Sequence, residues 1–200
     1  MKQSKVRSNE SSSCDYLTLT CYFLCLGVQG IIHTASNVSF SPDPNEVITP
    51  TVAGLKFLLR SAAKMSSVKS FVYTSSSVSA SAADQPLVLD ASTWNDVQIK
   101  EAWSVTSAPF PATHANAVYS ASKAEGEKAF WKFIEDESPQ FRANAVLPDA
   151  TIGEVLNTQG TMSTGGWIRA VYENGTDFVK QLPACESIQL RSVLGCNQVN

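Results

Sequence analysis

Histidine is scarce in this chain. His33 and His114 are the two present, and neither has a second ligand type clustered near it in sequence. That excludes a histidine-built metal centre, and the cysteines do not replace it. Cys14, Cys21, Cys25, Cys185 and Cys196 are odd in number and show no Cys-x-x-Cys spacing. Such cysteines suit free thiols in a reducing compartment, not a disulfide framework or a zinc site. Charge of either sign is also in short supply. Fifteen Lys and Arg against eighteen Asp and Glu leave a net charge of −3, with the basic residues scattered. Nucleic acid and anionic membrane are therefore not expected partners. The apolar stretch Tyr16–Val28 has thirteen residues, against the roughly 20 that a spanning helix needs. Lys2, Lys5 and Arg7 precede it, as in a secretory signal, but Glu10 and Asp15 intervene and no small-x-small site follows. The cytoplasm is the expected compartment.

What is present is an ordinary globular composition, 44% hydrophobic over 200 residues. That allows one domain, or one and a fragment. The informative stretch is Tyr119-Ser-Ala-Ser-Lys123, opening a helical run that continues to Phe133 and stops near Ser138-Pro139. Four residues apart on a helix, Tyr119 and Lys123 share one face. An ammonium beside a phenol favours the phenolate and is expected to lower its pKa. This spacing alone recurs by accident, but its surroundings do not. Upstream, Phe71-Val-Tyr73 reads as a buried strand emptying into the hydroxyl-rich loop Thr74-Ser-Ser-Ser77. Downstream, Ala145-Val-Leu147 reads as another, closed by Pro148. In open α/β sheets ligands bind at the C-terminal strand edge, where that loop lies.

The remaining elements follow in order. Gly30–Ala35 is expected as a buried parallel strand, with His33 a packed strand residue. A helix is expected over 46–65, because Val52, Leu55, Leu58, Leu59 and Ala62 recur at three and four, which makes one apolar face. Pro50 is tolerable only near its first turns. Residues 78–116, with Pro86, Pro109 and Pro111, are expected to be irregular. A short helix is expected around 166–173. Residues 1–15 are polar and expected to be disordered.

The chain resembles the extended short-chain dehydrogenase/reductases, in the branch of dihydroflavonol-reductase-like and fungal aldehyde or ketone reductases. The resemblance rests on Gly30-Ile-Ile-His-Thr-Ala-Ser36, Phe71-Val-Tyr-Thr-Ser-Ser76, Tyr119-Ser-Ala-Ser-Lys123 and Val146-Leu-Pro-Asp-Ala-Thr-Ile-Gly153, with a weaker match over 159–168. It implies an α/β fold, a partial Rossmann-like doubly wound parallel sheet lacking the first βαβ units. It also implies reduction of an aldehyde or ketone with NADP (or NAD) as cofactor and a small-molecule carbonyl as substrate. Ser76, Tyr119 and Lys123 would be catalytic. Thr34, Ala35, Ser36, Tyr119, Lys123 and Pro148 would border the cofactor, and no metal is implied. Ser75 is the alternative to Ser76.

A dinucleotide fold of this kind opens with a strand, a glycine-rich turn and a helix holding the pyrophosphate. Before Ser36 the glycines are Gly27 and Gly30, and neither opens a helix. The expected organisation is an atypical segment over 1–27, a partial reductase domain over 28–183 and an atypical tail over 184–200, truncated at both ends relative to the family. Tyr16–Val28 is expected to cover the exposed sheet edge as a substitute strand. Two other functions stay open: a sugar-nucleotide epimerase or dehydratase, and a non-catalytic fragment that binds cofactor weakly. The oligomeric state is left open.

Overall fold

The computed structural model describes residues 21, 23–81, 89–111, 114–151 and 165–174. Strand β1 (Gly30–His33) pairs in parallel with β2 (Ser70–Thr74), which pairs in parallel with β3 (Arg142–Val146). Phe71 lies opposite Ile31 on one side and Ala143 on the other. The strand order follows the chain order. Parallel neighbours need crossovers, and crossovers are right-handed. A sheet that grows in one direction therefore carries its crossover helices on one face, and the described residues form that half of a doubly wound sheet.

The first crossover is α1 (Pro44–Ala63), two residues earlier at each end than the apolar periodicity suggests. Asp43 sets its start: the carboxylate accepts from Asn45 N at 2.8 Å, and Pro44 occupies a first-turn position that needs no donor. Pro50 falls inside the helix, so the Glu46 carbonyl loses its donor four residues on. Asn37 supplies one from its side chain, Nδ2 to Glu46 O at 3.1 Å. That bond ties the loop after β1 to α1.

The stretch expected to be irregular holds more order than its prolines suggest. A 3-10 turn spans Ser77–Ser79, and α2 (Asp96–Ala102) starts at Asn95, whose side chain accepts from Gln98 N at 3.3 Å. Helix α3 (His114–Glu137) begins five residues before Tyr119, with its first turn inside the supposed loop. It ends where expected. Ser138 takes a left-handed conformation, φ 42°, and Pro139 prevents continuation. Helix α4 (Gly165–Asn174) extends the expected short helix by one residue at each end.

The core fills the space between the sheet and the α1/α3 layer. Phe71 and Tyr73 project from one face of β2. Phe130 of α3 meets both rings, with centroids 5.7 and 5.4 Å away, and Phe141 stacks on Phe71 at 5.6 Å. Leu55, Leu59 and Ala62 of α1 close the same cluster. A second cluster joins Val47 and Ile48 of α1 to Ala117, Val118 and Ala121 of α3, capped by Ala102. Gly126 lets α3 sit close to β2: a Cβ there would stand 2.5 Å from the Tyr73 hydroxyl.

The substitute strand is not formed by the described part of its segment. Cys21, Phe23 and Leu24 are helical, Cys25–Gly27 turn, and Cys25 is buried in the core. Apolar side chains at 23–26 find the core by one buried cysteine and leave Phe23, Leu24 and Leu26 exposed. Residues 1–20 lie outside the described residues, as does the tail 184–200. No helix among the described residues is long and apolar enough to cross a membrane.

Candidate active site

The three strands end together at His33, Thr74 and Val146. Their exit loops and the N-terminal half of α3 meet at that edge. Main-chain bonds set the loop after β2 against the exit of β3: Ser75 N donates to Val146 O at 2.8 Å and Ser77 N to Pro148 O at 2.9 Å. Ser76 lies between them. Its hydroxyl is 3.5 Å from Pro148 O and acts on the Tyr119 phenol, opposing the rise in its pKa. Ser76, Tyr119 and Pro148 are thus brought together from three elements.

Lys123 lies one helical turn beyond Tyr119, its Nζ 5.9 Å from the phenol ring centroid. Although a lysine, it is only 6% exposed. Burial holds the ammonium below its ordinary pKa. The salt bridges among the described residues are formed by other cations, so this charge has no carboxylate partner there. Phe40 covers the phenol from the other side at 5.1 Å between centroids, with its backbone in the left-handed region, φ 53°.

The phenol's pKa does not move in the direction expected from an adjacent ammonium. Burial raises it, and the hydrogen bond from Ser76 opposes that rise in part. Partial burial under Phe40 outweighs that bond, and Lys123, with its Nζ over the ring, contributes no opposing shift. Tyr119 is therefore a protonated group at neutral pH.

The first loop is placed more loosely. Thr34 and Ala35 are exposed at the exit of β1, and Ser36 is half-buried. The Ser36 hydroxyl and the Nδ1 of His33 are buried with no hydrogen-bond partner. Burial lowers the His33 pKa, and the charge of Lys123 lowers it further. His33 packs between Tyr73 and Phe71, as a strand residue should. A buried hydroxyl without a partner, beside a lysine with no carboxylate partner among the described residues, fits a ligand rich in hydroxyl and phosphate oxygen, as a dinucleotide is.

The alternative serine has a different attachment. Ser75 Oγ donates to Glu127 Oε2 at 2.6 Å, deep against α3. Ser79 Oγ donates to the same oxygen at 2.6 Å, and Trp131 Nε1 to Oε1 at 3.3 Å. Glu127 is one turn beyond Lys123 on the same helix face, an acidic residue within an otherwise buried stripe. That spacing was visible in sequence; its partners, more than forty residues away, were not. Among the described residues no group of three or more His, Cys, Asp or Glu side chains is placed to hold a metal ion.

The family described as male sterility protein, an NAD-binding family, matches residues 20–176. The chain belongs to this family of short-chain dehydrogenase/reductase-like proteins. It is 43% identical over 149 residues to an NAD-dependent epimerase/dehydratase of Aspergillus terreus, covering 74% of this chain and 43% of that protein. It is 40% identical over 150 residues to aldehyde reductase 2 of Sporidiobolus salmonicolor, covering 73% of this chain and 43% of the relative. In structure it is similar to the yeast methylglyoxal/isovaleraldehyde reductase solved with NADPH. The TM-score is 0.62 at 22% identity, covering 80% of this chain and 48% of that one. The chain thus spans less than half the length of these relatives, and the structural likeness establishes a Rossmann-like α/β fold. The residues matched include β1 to β3 and all of α3.

Proposed function

We propose that this chain carries the catalytic edge of an NAD(P)H-dependent carbonyl reductase that converts an aldehyde or ketone to an alcohol. The observation that carries the reading is the convergence of Ser76 and Tyr119 at the strand edge beside Lys123, buried and without a carboxylate partner among the described residues. The nicotinamide cofactor, when bound, supplies the hydride. Thr34, Ala35, Ser36 and Lys123 would hold its ribose and pyrophosphate side, and Pro148 would border the ring.

The chain's own residues do the rest. Ser76 donates a hydrogen bond to the substrate's carbonyl oxygen, which polarises the carbonyl and fixes its position. Tyr119 gives its proton to that oxygen as negative charge develops there. A phenol is protonated at neutral pH, and the upward shift leaves Tyr119 in that state, with a proton to give. Once the proton has left, the Ser76 hydroxyl stabilises the phenolate. Phe40 covers part of the phenol ring.

The test is turnover of NADPH and NADH by the purified chain with a panel of aldehydes, ketones and UDP-sugars. Carbonyl turnover is expected, with Tyr119→Phe lowering kcat by on the order of a hundredfold or more. Turnover confined to UDP-sugars would favour the epimerase/dehydratase reading, which the name of the Aspergillus terreus relative supports. Undiminished carbonyl turnover in Tyr119→Phe would remove the assigned role.

A further inference from the structure

Glu127 is the most deeply held acidic side chain near the site, only 5% exposed. A carboxylate buried to that extent is costly unless donors satisfy it. Here three do, and two of them come from the loop that carries Ser76. Ser75 and Ser79 flank Ser76, and both hydroxyls reach the same Glu127 oxygen at 2.6 Å. Glu127 lies on the helix face of Tyr119 and Lys123, since all three are spaced by four.

The loop has other attachments, but they fix it to other elements. Ser75 N and Ser77 N bind the exit of β3. Asn95, at the start of α2, donates from N to Ser79 O and from Nδ2 to Val78 O, each at 2.9 Å. Neither set determines where the loop sits along α3. The hydrogen bonds to α3 are those of Ser75 and Ser79 to Glu127. A short bond at each flank, to one rigid helix, sets the axial position of the residue between them.

We propose that Glu127 is a positioning residue: through Ser75 and Ser79 it holds the Ser76 hydroxyl in register with the Tyr119 phenol. It touches no reacting atom. Its consequence for turnover rests on the carbonyl-reductase reading above, whereas the positional claim stands on the geometry of the chain alone.

The experiment is a titration of the Tyr119 phenol, followed by tyrosinate absorbance and isolated by subtraction of Tyr119→Phe. It is run in Glu127→Ala, Ser76→Ala and the double variant, with folding checked by circular dichroism. Ser76→Ala removes the hydroxyl that holds the phenol's pKa down, so the phenol is expected to titrate higher. Glu127→Ala is expected to raise it too, and to raise it no further in the Ser76→Ala background. The sign is decisive. Deleting a nearby negative charge alone would make the phenolate easier to form and shift the titration down. If the folded chain reduces carbonyls, kcat falls on the order of tenfold in Glu127→Ala with KM little changed.

A wild-type or lowered titration in folded Glu127→Ala overturns the proposal, as does a rise that adds to that of Ser76→Ala. Should Glu127→Ala fail to fold, Ser79→Ala serves instead: a smaller rise supports the assignment, and an unmoved phenol ends it. A wild-type chain with no turnover but with the expected titration pattern would defeat the reductase reading and leave the positioning role intact.

Discussion

Glu127 and His33 are both polar residues held against β2, and the fold treats them in opposite ways. Glu127, from α3, meets three donors. His33, from β1, keeps a buried Nδ1 with no partner, as does the Ser36 hydroxyl just beyond it. The same contrast runs through the apolar residues. On the α3 side Phe71, Tyr73 and Phe130 are sealed. On the β1 side Ile32 is 73% exposed although it sits in a strand directly opposite Val72. The α3 side is finished by its own contacts. On the β1 side two buried polar atoms keep no partner and one apolar side chain keeps its solvent contact.

The contrast breaks most sharply at the centre of the finished side. Phe130→Ala should destabilise the chain by about 3–5 kcal/mol, as large-to-small changes in sealed aromatic cores do. A midpoint in urea close to wild type would show that the α3/β2 contact is not the core. Gly126→Ala is next, at about 1–3 kcal/mol, since the added methyl displaces the Tyr73 hydroxyl. Tyr73→Phe in the same chain should recover most of that loss, because the ring's nearest carbon stands 3.5 Å away, an ordinary contact. A double variant no better than Gly126→Ala would place the strain elsewhere.

The alkaline limb of stability sharpens the comparison further. Burial raises the Tyr73 phenol well above its ordinary value, and the charge of Glu127 adds to the rise. Tyr119 is raised in the same direction. Unfolded phenols ionise from about pH 10, so the folded chain binds more protons than the unfolded one above that pH. The contribution is complete below pH 10 and is lost as pH climbs through the higher folded values. Tyr73→Phe should flatten this alkaline fall more than Tyr119→Phe, as read from urea midpoints against pH. Equal slopes in wild type and Tyr73→Phe would contradict its burial. At the small end, Ile32→Ser should change stability by no more than about 0.5 kcal/mol. A cost comparable to that of Phe130→Ala would mean the β1 face is covered.

The local patterns were legible. A short apolar run makes a strand wherever it falls, and apolar residues at three and four make a helix face, so β2, β3 and the body of α1 followed from neighbouring residues alone. The shared face of Tyr119 and Lys123 followed from helix geometry in the same way, and so did the stop at Ser138-Pro139. Helix α2 escaped notice because seven residues carry too little periodicity to stand out among prolines. Its anchor, Asn95 bonding to Val78 and Ser79, crosses a segment of sequence that shows no pattern.

Tertiary structure alone decided the chemistry of the site. That Glu127 would take Ser75 and Ser79, from 52 and 48 residues away, depends on how α3 lies across β2. That Asn37 would satisfy the carbonyl freed by Pro50 depends on the path of the loop after β1. The direction of the Tyr119 shift depends on the same packing: spacing puts an ammonium on its helix face, but only the surrounding atoms determine whether charge or burial prevails. Periodicity is set by bonds along the backbone, whereas solvation and hydrogen bonding at a site are set by residues that meet only once the chain has closed on itself.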